Sequence, residues 1–394
     1  RRGLGFRYGR TMQAIAGIHY NFSLPQKFWE LQWEQSEKKE HLQDYISKRY
    51  LGLIRNFQRH SWLLIYLFGA SPAVCSSFLD SVENHPLEPF DAKQRSFYRP
   101  FATALRMGSL GYNSAAQQSM KVSYNSLSRY IDTLKQSIIT PYSDYQKWAT
   151  GEDGEYQQLN RSLLQIENEF YSSIRPKRVT YSGETPSAAL TRGGIEYIEV
   201  RCIDVNPFLP IGIDKNQSLF LDAFLLYCLL SDSPPIAPEE QEQINANFSS
   251  VVNDGRNPRL QLANRSGLVQ FQGLAKSLLE EIKLVSSLMS RETEDHGFMT
   301  SYQEQEAKVK DASLTPSARM LKEMEENGLS FFELSLSYSR NWANMFSERI
   351  LSDRKRHHFT KEAKQSLETQ KKIERSDRIS FSKYLKDYYG QYGD

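Results

Sequence analysis

Glu199 and Arg201 stand two residues apart in Gly193-Gly194-Ile195-Glu196-Tyr197-Ile198-Glu199-Val200-Arg201, a run whose β-branched and aromatic residues predict a strand. The two-residue repeat of a strand sends Tyr197, Glu199 and Arg201 out of one face. A carboxylate there can hold a divalent metal while the guanidinium beside it neutralises phosphate oxygens, the charge arrangement that phosphoryl transfer requires. The same two residues would equally make a surface ion pair of little energetic consequence. His19 offers a third group, in the strand-like run Met12 to Phe22 that Ser23-Leu24-Pro25 should end. On that strand it shares a face with Gln13, Ile15, Gly17 and Asn21. Its imidazole is either a hydrogen-bonded core group or a ligand joining Glu199 around a divalent ion. Ile174-Arg175-Pro176-Lys177-Arg178 gathers three cations about a stiffening proline; it predicts a rigid basic loop suited to polyphosphate, or else a solvated turn. Arg106 and Tyr112 flank Leu110-Gly111, where the guanidinium can grip a substrate carboxylate bidentately or form a structural salt bridge.

These side chains need elements to hold them. Leu164 to Tyr171 predicts a further strand, with Gln165, Glu167, Glu169 and Tyr171 on one side and Leu164, Ile166 and Phe170 on the other. Thr185 should cap a short helix that leads into the Glu199 strand. Ile46, Tyr50, Ile54 and Phe57 recur at helical spacing, as do Leu127, Tyr130, Ile131, Leu134 and Ile138. After the Asn206-Pro207-Phe208-Leu209-Pro210 break the texture turns helical: Leu219 to Cys228 is apolar on most sides, Leu274, Leu278, Ile282, Val285 and Met289 mark an amphipathic helix, and Thr315-Pro316 with Asn327-Gly328 delimit another. The charged end, densest at Arg354-Lys355-Arg356-His357-His358, predicts a solvated tail or helix face in preference to a nucleic-acid site. The expected class is α+β, with an α+β catalytic part over residues 1–213, a mainly helical region over 214–394, and a charged tail from about 354.

Composition narrows the partners. Among 394 residues, 49 Lys and Arg nearly balance 47 Asp and Glu, so no global field points to nucleic acid or membrane. The apolar run Trp62 to Phe68 is shorter than a membrane span, and no charged segment followed by an apolar one opens the chain. Cys75, Cys202 and Cys228 lack CxxC spacing and suit a reducing, cytoplasmic setting. Walker A, GxGxxG, nucleophile-elbow and zinc spacings are all missing from the sequence. The first residue is Arg1, and the chain is expected to be a fragment lacking its natural start.

Four blocks in order carry a resemblance. Ala16 to Pro25, Tyr66 to Pro72, Leu164 to Glu169 with Ile174 to Arg178, and Gly193 to Arg201 closely resemble the proteobacterial type of the glutamate-cysteine ligase family, strongly from Arg1 to about Gly212 and more loosely beyond. The resemblance implies a glutamine synthetase-like antiparallel sheet curved into a funnel with helices behind it. It also implies ligation of glutamate and cysteine with ATP and Mg²⁺ (or Mn²⁺), through γ-glutamyl phosphate, as the first step of glutathione biosynthesis. Carried over, His19 and Glu199 match metal ligands, Arg201 matches the arginine that stabilises the transferring phosphoryl group, and Arg106 matches a substrate-contacting arginine. Arg175, Lys177 and Arg178 are candidates for the nucleotide phosphates. Gln13, Ile15, Tyr112 and Tyr171 look like the lining of the cysteine pocket. Small-molecule partners and a monomer are expected. Family members bear further acidic metal ligands on N-terminal strands, so this chain alone is expected to be inactive and poorly folded, with unpaired sheet edges. Two rival readings are a related ligase that uses another amine and a non-catalytic helical binding module.

Overall fold

The computed structural model describes residues 1–37, 40–79, 84–110, 115–151, 155–293 and 296–393; Tyr112 lies outside the described residues. Its contacts form two compact units, Arg1–Leu334 and Ser335–Asp394.

The first unit is built around a three-stranded antiparallel sheet. Strand β1 (Ile18–Phe22) and strand β2 (Ile174–Lys177) flank the central β3 (Tyr197–Ile203). The β1/β3 register pairs Asn21 with Glu199 and Phe22 with Ile198, and slips between Ile18 and Tyr20. The β2/β3 register pairs Arg175 with Glu199 and Lys177 with Tyr197. Three expectations change here. The strand predicted from Met12 begins only at Ile18, because β3 ends at its partner Ile203 and offers nothing further to pair with; Gln13 falls in a 3₁₀ turn, Thr11–Ala14. Ile174 to Lys177 is a strand rather than a loop, and Pro176 is tolerated because β2 pairs on one side only among the described strands. Leu164 to Tyr171 is no strand: the Glu169 carboxylate accepts from the Gln165 backbone N–H and from its side-chain amide at 3.0 Å, drawing Glu167–Glu169 into a 3₁₀ turn. Such local side-chain bonds compete with a ladder.

One long helix covers the back of the sheet, and others pack around the unit. Helix α1 (Arg2–Tyr8) supplies Arg7, which is buried and donates to Gln158 Oε1 at 3.0 Å, to the Ser162 carbonyl at 3.1 Å and to the Asn160 carbonyl, with its guanidinium 4.2 Å above the Tyr145 ring. Helix α2 (Leu42–Phe68) absorbs the apolar run Trp62 to Phe68 and buries Tyr50, Leu53, Ile54 and Phe57 completely. Each such side chain contributes roughly 2–3 kcal/mol. Helix α3 (Leu127–Ile139) and helix α4 (Pro186–Gly193, capped by Thr185) stand where the spacing predicts them. Among the described residues no helix is long and apolar enough to cross a membrane.

Helix α5 (Lys215–Leu230) lies against α2 through the Phe57–Phe224 and Phe68–Phe220 ring pairs, 6.0 and 5.8 Å apart. The Asn56 amide caps its end by donating to the carbonyls of Cys228, Ser231 and Asp232. Helices α6 (Phe271–Thr293) and α7 (Gly297–Lys310) pack on α5. Helix α8 (Pro316–Asn327) starts at the Thr315 cap and stops at left-handed Gly328. The expected division near residue 213 therefore falls inside the first unit, since α5 follows it directly and packs on α2. In the second unit, helix α9 (Asp353–Ser376) is exposed along its whole length and carries Arg354 to His358.

Candidate active site

Side chains opposite one another in an antiparallel ladder share a face. The β3 alternation therefore projects Tyr197, Glu199 and Arg201 forward. The two registers add Asn21 from β1 and Arg175 and Lys177 from β2. The slip in β1 falls at His19, and an irregularity of this kind re-aims a side chain. His19 Nδ1 lies 3.3 Å from Glu199 Oε1, the imidazole side chain 47% exposed and the carboxylate 14%. Glu199 Oε2 is 3.8 Å from Arg201 Nε. One carboxylate thus sits between an imidazole and a guanidinium from two strands.

The charges around it shape protonation. Partial burial, then Arg201, and more weakly Arg175, hold the His19 pKa below its usual value against the pull of Glu199. At neutral pH this imidazole keeps a lone pair. Burial also lowers the Lys177 pKa, with Glu199 opposing and Arg175 and Arg201 reinforcing the drop. Arg175 is buried and donates to Ser172 Oγ at 3.3 Å and to the Asn168 carbonyl at 3.2 Å. Three cations against one carboxylate make a surface suited to a polyanion. Arg178 is not part of it. Its Nε donates to the Gly194 carbonyl at 2.6 Å and its Nη2 to Gln43 Oε1 at 3.2 Å, fastening the turn before β3 to α2.

Arg106 sits in a 3₁₀ turn, Leu105–Met107, and its Nε donates to Asp204 Oδ1 at 2.6 Å, just past the end of β3. Its Nη2 reaches the Arg201 carbonyl at 3.5 Å. The structure thus gathers His19, Glu199, Arg201, Arg175 and Lys177 on the sheet face and brings Arg106 to the end of the same strand. Gln13 is exposed and Ile15 half-buried, both ahead of β1. Tyr171 follows the Glu167–Glu169 turn, with its ring edge-on to Tyr8 at 5.9 Å and its backbone N–H on Gln117 Oε1. Asp204 escaped the sequence reading, because the contact that gives it a role is with the distant Arg106.

Among the described residues no three or more His, Cys, Asp and Glu side chains cluster in a way that could hold a metal ion. The Glu199 carboxylate is nevertheless an oxygen donor of the kind a magnesium sphere takes, with its six positions commonly shared with water and phosphate oxygens, and the His19 imidazole beside it adds one nitrogen donor.

The model of the family described as glutamate-cysteine ligase matches residues 1–251. A glutamate-cysteine ligase of Pseudomonas aeruginosa is 49% identical over 390 residues, covering 98% of this chain and 73% of its own. One from Pseudomonas fluorescens is 47% identical over 388 residues, covering 98% and 72%. A crystal structure of glutamate-cysteine ligase from Francisella tularensis in complex with AMP aligns with a TM-score of 0.89 at 33% identity, over 99% of this chain and 75% of that one. A bifunctional glutathione synthetase from Pasteurella multocida shares the fold, with a TM-score of 0.67 at 23% identity over 88% of this chain and 39% of that one.

Proposed function

The chain belongs to the glutamate-cysteine ligase family, and from that premise we propose that its sheet face performs the ATP-dependent joining of the glutamate γ-carboxylate to the cysteine amine, the first step of glutathione biosynthesis. The observation that carries this reading is the meeting of His19, Glu199 and Arg201 within 3.3 and 3.8 Å, with Arg175 and Lys177 across the ladder. Glutamate's carboxylate must attack the γ-phosphorus of ATP, so two anions have to approach. Arg201, Arg175 and Lys177 lower that repulsion. Arg201 then stabilises charge on the transferring phosphoryl group, a role worth about 3 kcal/mol or more in comparable sites. Mg²⁺, for which His19 and Glu199 are the assigned protein ligands, would neutralise further charge on the phosphate oxygens. Once γ-glutamyl phosphate has formed and ADP has left the γ-phosphorus, the cysteine amine attacks the acyl carbon, the carbon–nitrogen bond forms as the nitrogen gives up a proton, and the acyl carbon–oxygen bond breaks to release phosphate. Gln13, Ile15, Tyr112 and Tyr171 are assigned to the walls that admit the small thiol side chain. Catalysis is assigned to residues 1–213, with the helices after 213 as support. Free cysteines, two of them buried, fit a reducing cytoplasm.

The test is a ligase assay on the enzyme expressed from its complete reading frame. Phosphate release should require glutamate together with cysteine or 2-aminobutyrate, and mass spectrometry should find γ-glutamylcysteine. Turnover with a different amine and with neither of those two would transfer the site to a related ligase. Loss of magnesium-dependent ATP binding would leave only a binding module.

A further inference from the structure

Arg106 is held from three directions. Asp204 is buried, 3% exposed, and its two oxygens do different things. Oδ1 accepts from Arg106 Nε at 2.6 Å, while Oδ2 accepts from the Ala70 N–H at 2.8 Å and from Ser71 Oγ at 2.7 Å. Ser71 Oγ in turn accepts from the Arg106 backbone N–H at 3.3 Å, and the Ser71 carbonyl accepts from Leu105 N–H at 2.8 Å. The side chain of Arg106 is therefore tied to Asp204 and its backbone to Ser71, and those two residues are bonded to each other. The third direction is Gly17, just before β1. A Cβ there would lie 2.6 Å from Nη1, 2.7 Å from Cζ and 3.0 Å from Nη2, closer than a methyl group and a guanidinium can approach. Gly17 has no left-handed φ, so room and not backbone freedom calls for glycine.

We infer that Asp204, Ser71 and Gly17 form a positioning clamp that fixes the plane of the Arg106 guanidinium, so that its Nη edge meets the carboxylate of an amino-acid substrate. The inference rests on the assignment of Arg106 to substrate under the function proposed above. Asp204 engages only Nε, the nitrogen nearest the backbone, and leaves the Nη edge to point onward past the Arg201 carbonyl. A pair serving stability alone gains most from bidentate contact. Here the second carboxylate oxygen goes to the Ala70–Ser71 turn, which converts Asp204 into a fixed post. Because Asp204 directly follows the strand that carries Arg201, the clamp also sets the separation between the guanidinium that holds substrate and the one that faces phosphate.

Gly17→Ala and Asp204→Asn test this in the complete enzyme, with the Michaelis constants for glutamate, cysteine and ATP measured separately. Each variant should lower kcat/KM for an amino-acid substrate about 10²-fold, the cost of misplacing an orienting group by about 1 Å, while KM for ATP stays near its starting value. In an Arg106→Ala background Gly17→Ala should have no further effect, since the methyl group then enters vacated space. Equal losses for ATP and amino acids, or losses that multiply in the Arg106→Ala background, overturn the clamp. Unchanged amino-acid constants in Arg106→Ala alone overturn the assignment of Arg106 itself. Should Asp204→Asn fail to fold, Gly17→Ala and its double variant decide the question.

Discussion

Toward α2, β3 presents Ile198, Val200 and Cys202, none more than 2% exposed, and burial pushes the Cys202 thiol up to about 12. Toward the front the same strand presents Tyr197, Glu199 and Arg201 beside four further polar or charged groups from its neighbours. The alternation in exposure runs from Tyr197 to Val200; beyond it Arg201 and Ile203, on the front side, are buried as well, at 8% and 1% exposed. The apolar face locks the register, because a one-residue slip would turn Glu199 and Arg201 into the core. The charged face can then hold like charges together, since its position is maintained from behind. Precision at the front is supplied by packing at the back.

Substitutions on each face can break or sharpen this contrast. Arg201→Lys should lower kcat about 10³-fold, because an ammonium cannot reproduce the planar fork at the transferring phosphoryl group. Single-turnover kinetics would show it, and near-normal turnover would remove Arg201 from that role. On the other face, Ile198→Ala should cost about 3–4 kcal/mol in urea unfolding with KM values unmoved; a kinetic change larger than the stability change would mean the two faces are not separable. His60, on the helix that covers the apolar face, has its pKa pushed down to about 4 by burial and by Arg59. As pH falls from about 6.5 the unfolded chain takes up a proton that the folded protein refuses until about 4, so stability drops across that window by up to about 3 kcal/mol. His60→Phe should flatten the pH dependence of unfolding between those limits. The smallest effect is expected at Arg178→Met, about 1–2 kcal/mol of stability with KM for ATP unchanged, whereas Lys177→Met should raise KM for ATP. Equal kinetic effects at both positions would erase the distinction drawn between them.

Much of the frame was legible. The β-branched alternation around Glu199, the Thr185 and Thr315 caps and the Gly328 stop are local signals, and the structure has each of them in place. The Leu164 to Tyr171 pattern misled because alternating polarity does not reveal that Glu169 bonds back to Gln165. Arg175, Lys177 and Arg178 looked like one basic group, since nothing in five residues announces a partner strand. Pairing with β3 separates Arg178 from the other two. Asp204 was silent for a related reason: Arg106, which gives it meaning, lies 98 positions away. The nearness of His19 to Glu199 followed from the family resemblance and not from spacing, which cannot place two strands side by side.

Arg7 carries a consequence for how the molecule assembles. Its guanidinium gathers acceptors from Gln158, Asn160 and Ser162, the first of them 151 positions along the chain, and thereby shapes a stretch with little regular structure of its own. Closing such a span costs loop entropy that grows only slowly with its length, and contacts of this separation raise the contact order that slows folding overall. Without the Arg7 guanidinium the acceptors at Gln158, Asn160 and Ser162 would lose a shared donor, and the segment around residue 160 its tie to α1.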